Sequence, residues 1–333
     1  MKFKFLKSLF YFLCLALGVV TGIMALMLVE RLTAKPAAIE AGVFDPYESV
    51  WKNPKNTAAL SLNFSPYFSP GSSAESDSPL SEATLRAALD AVRPFADTIR
   101  TFTVSGEMAK LYAINRESYG MRVIAGAWIG ASYTGEQVRA ELAQLAELAN
   151  NGLIDMAIVG SEGLLRGDYT EDDLIKWFND LRGMLKKDVP VGTSDSAAAL
   201  LGSGKVLAAS DVLLFTYYPW FQNVPVDRAT EDFKGMYARI RDAAGQDKQI
   251  ICSESGWKFE GEGMGNIQPD PDDAARYLSE MYAFSREANL EIIFFEAFEE
   301  PWKGGDSGWG LLDTGLEPRP AVKGMLDWIA TLR

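Results

Sequence analysis

Three apolar runs in this chain end in glutamate. IDMAIVGSE closes on Glu162, QIICSES carries Glu254 next to its end, and EIIFFEAFEEPWK brings Glu296, Glu299 and Glu300. A carboxylate at the end of a buried strand forfeits hydration, and hydrogen bonding or a chemical role must offset that cost. Glu162 and Glu254 stand 92 residues apart, so only the tertiary fold can bring them together. Paired carboxylates without other metal-ligand types suit glycoside hydrolysis, in which one protonates the leaving oxygen and the other attacks the anomeric carbon. That chemistry needs no histidine, and the chain has none. Its absence excludes Ser-His-Asp and Cys-His nucleophile systems and imidazole metal sites. Taken singly, each glutamate also reads as a helix cap or as an ion-pair partner of Arg166, Lys258 or Lys303. No Asp/Asn-rich loop with calcium spacing occurs, so neither a metal nor a cofactor is expected.

Aromatic residues point the same way. Trp128, Trp220, Trp257 and Trp302 fall at or just beyond the ends of apolar runs, with Trp309 in the following loop. A flat ring with a polar edge is a surface on which a sugar can stack, although packing on a rim would use the same residues. Trp177 and Trp328 sit inside helical patterns and read as core.

The elements that must position these groups alternate regularly. Strand-like runs occur at 58–64, 98–104, 122–129, 154–160, 189–193, 212–218, 249–255 and 291–298. Between them lie segments of helical periodicity, including SEATLRAALDAVRPF, GEQVRAELAQLAELAN, EDDLIKWFNDLRGMLKK and PDDAARYLSEMYAFSREANL, with a last one from about Arg319 to Leu332. Eight strand–helix units predict an α/β fold, a closed (β/α)8 TIM barrel with its active site at the C-terminal strand ends. The expected organisation is a membrane anchor at 1–31, an Ala/Pro-containing linker at 32–56 and one catalytic domain at 57–333; GSSAESDS at 71–78 reads as a loop.

The anchor rests on the 22 residues from Ser8 to Val29, which carry no charge and are long enough to span a bilayer as a helix. Lys2, Lys4 and Lys7 precede them, which favours a cytoplasmic N-terminus, and no small-residue cleavage site follows. The net charge of −13 disfavours nucleic acid as a partner. Cys14 and Cys252 lie in unlike surroundings, and no disulfide between them is expected.

With these residues on the page, the chain from about Ala58 to Trp328 resembles glycoside hydrolase family 17, in particular its bacterial branch. AIVGSE, YYPWF, SESGW and AFEEPWK carry the likeness, in order, on the fourth, sixth, seventh and eighth predicted strands. The resemblance implies that Glu162 is the general acid/base and Glu254 the nucleophile of a retaining reaction. Glu300 and Lys303 would support the pair, Tyr218 would hydrogen-bond the nucleophile, and Asn63 and Tyr67 would touch the non-reducing-side sugar. Asparagine commonly precedes the acid/base in this clan and holds the substrate 2-hydroxyl. Ser161 stands there instead, shorter and without the amide, so that contact is lost, passed to water or supplied elsewhere. The implied function is a β-1,3-glucanosyltransferase that elongates, branches or cyclises a periplasmic β-glucan at a bacterial inner membrane. A membrane glucan synthase is a partner compatible with that topology. The alternatives are a β-1,3-glucan hydrolase, endo or exo, and a tethered glucan-binding protein with weak turnover.

Overall fold

Eight parallel strands close on themselves in chain order. The computed structural model describes residues 59–74 and 79–332; the expected anchor and linker lie outside the described residues. Among the described residues no helix is long and apolar enough to cross a membrane. The order is β1 (Leu60–Asn63), α1 (Glu82–Val92), β2 (Ala96–Arg100), α2 (Ala109–Ser118), β3 (Arg122–Ala127), α3 (Gly135–Asn150) and β4 (Met156–Ser161). After it come α4 (Gly163–Arg166), α5 (Glu171–Met184), β5 (Val191–Ser196), α6 (Ala197–Gly202), α7 (Gly204–Ala209), β6 (Val212–Thr216) and α8 (Val226–Ala244). β7 (Gln249–Ser255), α9 (Pro271–Ala288), β8 (Glu291–Phe294) and α10 (Pro320–Thr331) complete the chain. Every strand is followed by at least one helix, as a (β/α)8 barrel requires.

The pattern of side chains explains the closure. Ile124, Met156, Ile158, Val212, Leu214, Ile251 and Ile293 form one buried cluster inside the barrel. Their strand neighbours Ala157, Val159, Leu213, Phe215 and Cys252 belong to the larger core beneath the helices. Successive side chains point to opposite faces, so both faces of a parallel strand must be apolar. Local signals fix the helix starts. Thr134 and Gln137 form a reciprocal capping box ahead of α3, Thr170 and Asp173 do the same ahead of α5, and Asp270 caps α9, which begins at Pro271.

The last strand is shorter than the sequence predicts. β8 stops at Phe294, and the chain then leaves the barrel wall to pair with the segment around Leu312. Leu311 N–H donates to Glu296 O at 2.9 Å and Leu312 N–H to Ala297 O at 2.9 Å. Glu296, Glu300 and Lys303 therefore sit on a loop and a 3-10 turn beyond β8 rather than on the strand. Register irregularities fall near the C-terminal ends of β4, β6 and β7, where the candidate carboxylates emerge.

Candidate active site

Glu254, on β7, has each carboxylate oxygen held by a different donor. Arg100, the last residue of β2, donates from Nη1 to Oε1 at 2.5 Å, and Tyr218 O–H donates to Oε2 at 3.0 Å. Arg100 is 1% exposed, packs over the Phe102 ring at 4.4 Å, and is anchored by Asn63 Oδ1 at 2.8 Å. Its Nη2 donates to Ser161 Oγ at 3.0 Å, so one guanidinium links the ends of β4 and β7. Burial, and then the Glu254 charge, push the Tyr218 phenol well above its ordinary range, which keeps it a donor.

Glu162 follows β4 directly, with a left-handed backbone at φ 53 and ψ 24. Thr216 Oγ1 donates to its Oε1 at 2.5 Å, and Thr216 is also the register partner of Glu254 across β6 and β7. A single threonine thus lies beside one carboxylate and bonds the other. Burial, with the Glu254 charge second, raises the Glu162 carboxyl to about 7, against the lowering effect of the Thr216 bond. The two glutamates are therefore set apart by their surroundings, one in an ion pair with arginine and one favouring its protonated form.

A second set lies beyond β8. Lys303 Nζ is 2.7 and 2.6 Å from the two Glu296 oxygens and 2.6 Å from Glu300 Oε2. Glu300 Oε1 accepts from Ser65 Oγ at 2.6 Å and from Trp302 Nε1 at 2.9 Å. Burial and then the Glu300 charge push the Glu296 carboxyl well up. Burial works against the Lys303 ammonium, but the two carboxylates outweigh it and raise its pKa. Glu299 stands apart: it accepts from Gly308 N at 2.8 Å and pairs with Arg319 at 2.8 Å, which tie the loop together. Of the three cations offered as ordinary partners, only Lys303 meets the glutamates that close the apolar runs. Arg166 pairs with Asp168, and Lys258 donates to Gly305 O.

The aromatic candidates divide. Trp128, Tyr67 and Trp302 line a cavity of about 730 Å³ at the C-terminal end, with Tyr133, Phe295 and Lys303. One side of the Trp128 ring is covered by the Arg166 guanidinium at 5.0 Å. Trp220 and Trp257, expected as sugar contacts, are instead 1% and 3% exposed and pack on each other at 5.2 Å, with Trp309 5.9 Å from Trp220. They form a wall behind Tyr218. Asn63 is also enclosed: its amide donates to Ser253 O at 3.0 Å and its oxygen holds Arg100, leaving no exposed atom for a sugar. A cavity of about 580 Å³ at the opposite end, where Arg122 pairs with Glu291 at 2.7 Å, is remote from these carboxylates.

Sequence reasoning passed over Arg100, Thr216 and Asp195. Arg100 left one signal: a guanidinium in the apolar stretch TIRTF requires a buried partner. Thr216 and Asp195 leave none, because small polar residues at strand ends are common. As arranged, the site has a carboxylate able to attack, a second carboxyl able to give and take a proton, and a neighbouring cavity with aromatic walls. Among the described residues no group of His, Cys, Asp and Glu could hold a metal ion.

Residues 61–311 match the profile of the BtgE/BtgC glycoside hydrolase domain. A glucan 1,3-beta-glucosidase of Schizosaccharomyces pombe is 28% identical over 232 residues, covering 66% of this chain and 72% of that one. A putative glucan endo-1,3-beta-glucosidase of Aspergillus niger is 29% identical over 282 residues, but only 40% of its length is spanned. Both relatives are fungal, so the bacterial branch named from the sequence is not supported by them. A family 17 β-1,3-glucanosyltransferase from Rhizomucor miehei superposes with a TM-score of 0.69 at 22% identity, covering 79% of this chain and 96% of that one; a complex of its active-site mutant with laminaritriose fits equally. An endo-laminarinase from Formosa gives 0.68 at 20% identity, with 82% and 87% coverage. At such identities these structures establish the shared barrel fold.

Proposed function

This chain belongs to the BtgE/BtgC glycoside hydrolase domain family, and on that premise we propose that it is a retaining enzyme acting on β-1,3-glucan, with transfer to a glucan acceptor as its main reaction. The observation that carries the reading is the contrast between Glu254, ion-paired with Arg100, and Glu162, raised to about 7. In the first step a Glu254 oxygen bonds to the anomeric carbon as the glycosidic C–O bond breaks, and the Glu162 proton passes to the departing oxygen. Forming the ester consumes the Glu254 charge, which lowers the proton affinity of Glu162 and makes it a base. In the second step Glu162 takes the proton of an incoming hydroxyl, whose oxygen displaces Glu254. Water as acceptor gives hydrolysis, and a glucan hydroxyl gives transfer.

The curated relatives named as glucosidases favour hydrolysis as a second reading. Mass spectrometry and NMR of laminari-oligosaccharides incubated with the enzyme separate the two: products longer than the substrate are expected, and exclusively shorter ones would make it a hydrolase. The Ser8–Val29 run behind Lys2, Lys4 and Lys7 supports a single-pass bacterial inner-membrane location with the barrel in the periplasm, where a glucan synthase could supply substrate. Protease accessibility in spheroplasts tests that placement; protection of the barrel would reject it.

A further inference from the structure

The proton donor occupies an unusual piece of backbone. A residue with a Cβ is disfavoured in the left-handed region that Glu162 adopts, so its surroundings must hold it there. Three contacts do so, two of them from β5. Glu162 N–H donates to Ser194 O at 2.8 Å. One residue further along, Asp195 gathers the N–H groups that follow Glu162: Leu164 donates to Oδ2 at 2.8 Å and Leu165 to Oδ1 at 3.2 Å, while Ser196 N–H also reaches Oδ1 at 2.8 Å. From the far side, the Tyr169 ring fills the space beside Gly163, where a Cβ would come within 2.1 Å of it.

Asp195 is fully enclosed, with 0% of its surface exposed. A carboxylate in that position is costly unless its lone pairs are met, and the three backbone donors meet them. It bonds backbone rather than either glutamate's side chain, and so clamps the turn from which Glu162 projects. The groups that face Glu162 from the packed elements are Glu254 on β7, Thr216 on β6, Arg100 on β2 and Asp195 on β5.

We propose that Asp195 is the positioning residue of the proton donor: it pins the turn after Glu162, fixes where that carboxyl points, and touches no substrate itself. The inference rests on reading Glu162 as the general acid. Its electrostatic side follows from the same geometry, because a buried anion beside Glu162 favours the protonated carboxyl there.

The test exploits the dependence of bond cleavage on leaving-group acidity. Laminari-oligosaccharides depart as alkoxides and need the proton, whereas a 2,4-dinitrophenyl β-laminarioside departs without one. Asp195→Asn keeps the size but turns an amide against backbone N–H groups and removes the charge. Its kcat/KM on laminari-oligosaccharides is expected to fall by roughly 10- to 100-fold. The pre-steady-state burst of dinitrophenolate should stay within about twofold of wild type. The upper limb of the pH profile should move to lower pH, the direction expected when a neighbouring negative charge is lost. An equal loss on both substrates, or no loss on either with an unmoved limb, overturns the proposal. Should Asp195→Asn not fold, Asp195→Ser, smaller and with one acceptor, is read by the same pair of substrates. Glu162→Gln run alongside distinguishes the two levels: if it still cleaves oligosaccharides at the wild-type rate, the reading of Glu162 fails, and this inference with it.

Discussion

Glu162 carries an energetic burden in the folded protein, and the burden is measurable. Its carboxyl is held near 7 in the fold against an ordinary value of 4.5. Below pH 4.5 it is protonated in both folded and unfolded chains and costs nothing. Between 4.5 and about 7 the unfolded chain releases its proton while the folded one retains it, so stability falls as pH rises, and above 7 the deficit is constant. Glu162→Gln lacks the titration. It is expected to match wild type in chemical denaturation at pH 4 and to exceed it by about 3 kcal/mol at pH 8. A constant difference across that range would show that Glu162 does not titrate in this way. Arg100 is the opposite case: it is buried at 1% exposure, and its bonds to Glu254, Ser161 and Asn63 make it unsuited to replacement by lysine, whose single ammonium cannot span three partners.

Elements explain why only part of this site was legible beforehand. Glu162 and Glu254 stand out in the sequence because each ends an apolar strand, and α3 begins and ends where its periodicity predicts. α8 fills the helix that eight strand–helix units require between β6 and β7, and it buries the stripe Val226, Ala229, Phe233 and Ile240. The run EIIFFEAF reads as one long strand, but the regular strand stops at Phe294: Ala297 N–H still donates to Asn63 O of β1 at 3.0 Å and Phe298 packs on Phe64 at 5.2 Å, while the backbone of Phe298 pairs with Leu312. Trp220 and Trp257 occupy strand ends, as sugar-binding tryptophans would, yet the bulk of Trp309 closes over Trp220, and sequence spacing carries no information about that. α4 is the element that follows Glu162 directly, and its first residue is Gly163. Gly163→Ala would drive a methyl into the Tyr169 ring. The variant is expected to lose about 1 to 3 kcal/mol in thermal or chemical unfolding and at least tenfold in oligosaccharide turnover. Full activity with unchanged stability would mean that the turn can shift freely.

At the scale of the whole molecule, the barrel is closed by its weakest backbone seam. β1 and β8 share two register pairs, Ser61 with Ile293 and Leu62 with Phe294, whereas β6 and β7 share five. Side chains reinforce the seam: Ser61 Oγ donates to Glu291 at 2.9 Å, and Asn63 Nδ2 donates to Ile293 O at 3.2 Å and to Ser253 O at 3.0 Å. Native-state hydrogen exchange is expected to release the amides of Leu62 and Phe294 before those of Leu214 and Ile251. Simultaneous release of all strands would show that the barrel opens as one unit.

The left-handed turn at Glu162 also bears on how such an enzyme persists over generations. Asparagine and glycine tolerate that backbone better than glutamate does, and either would remove the carboxyl, so on the proposed reading of Glu162 as proton donor the mutations that relax the molecule are the ones that silence it. Drift alone would carry this lineage towards stable, inactive descendants with an intact cavity. On the same reading, a carboxylate at position 162 lasts only while the reaction itself is under selection.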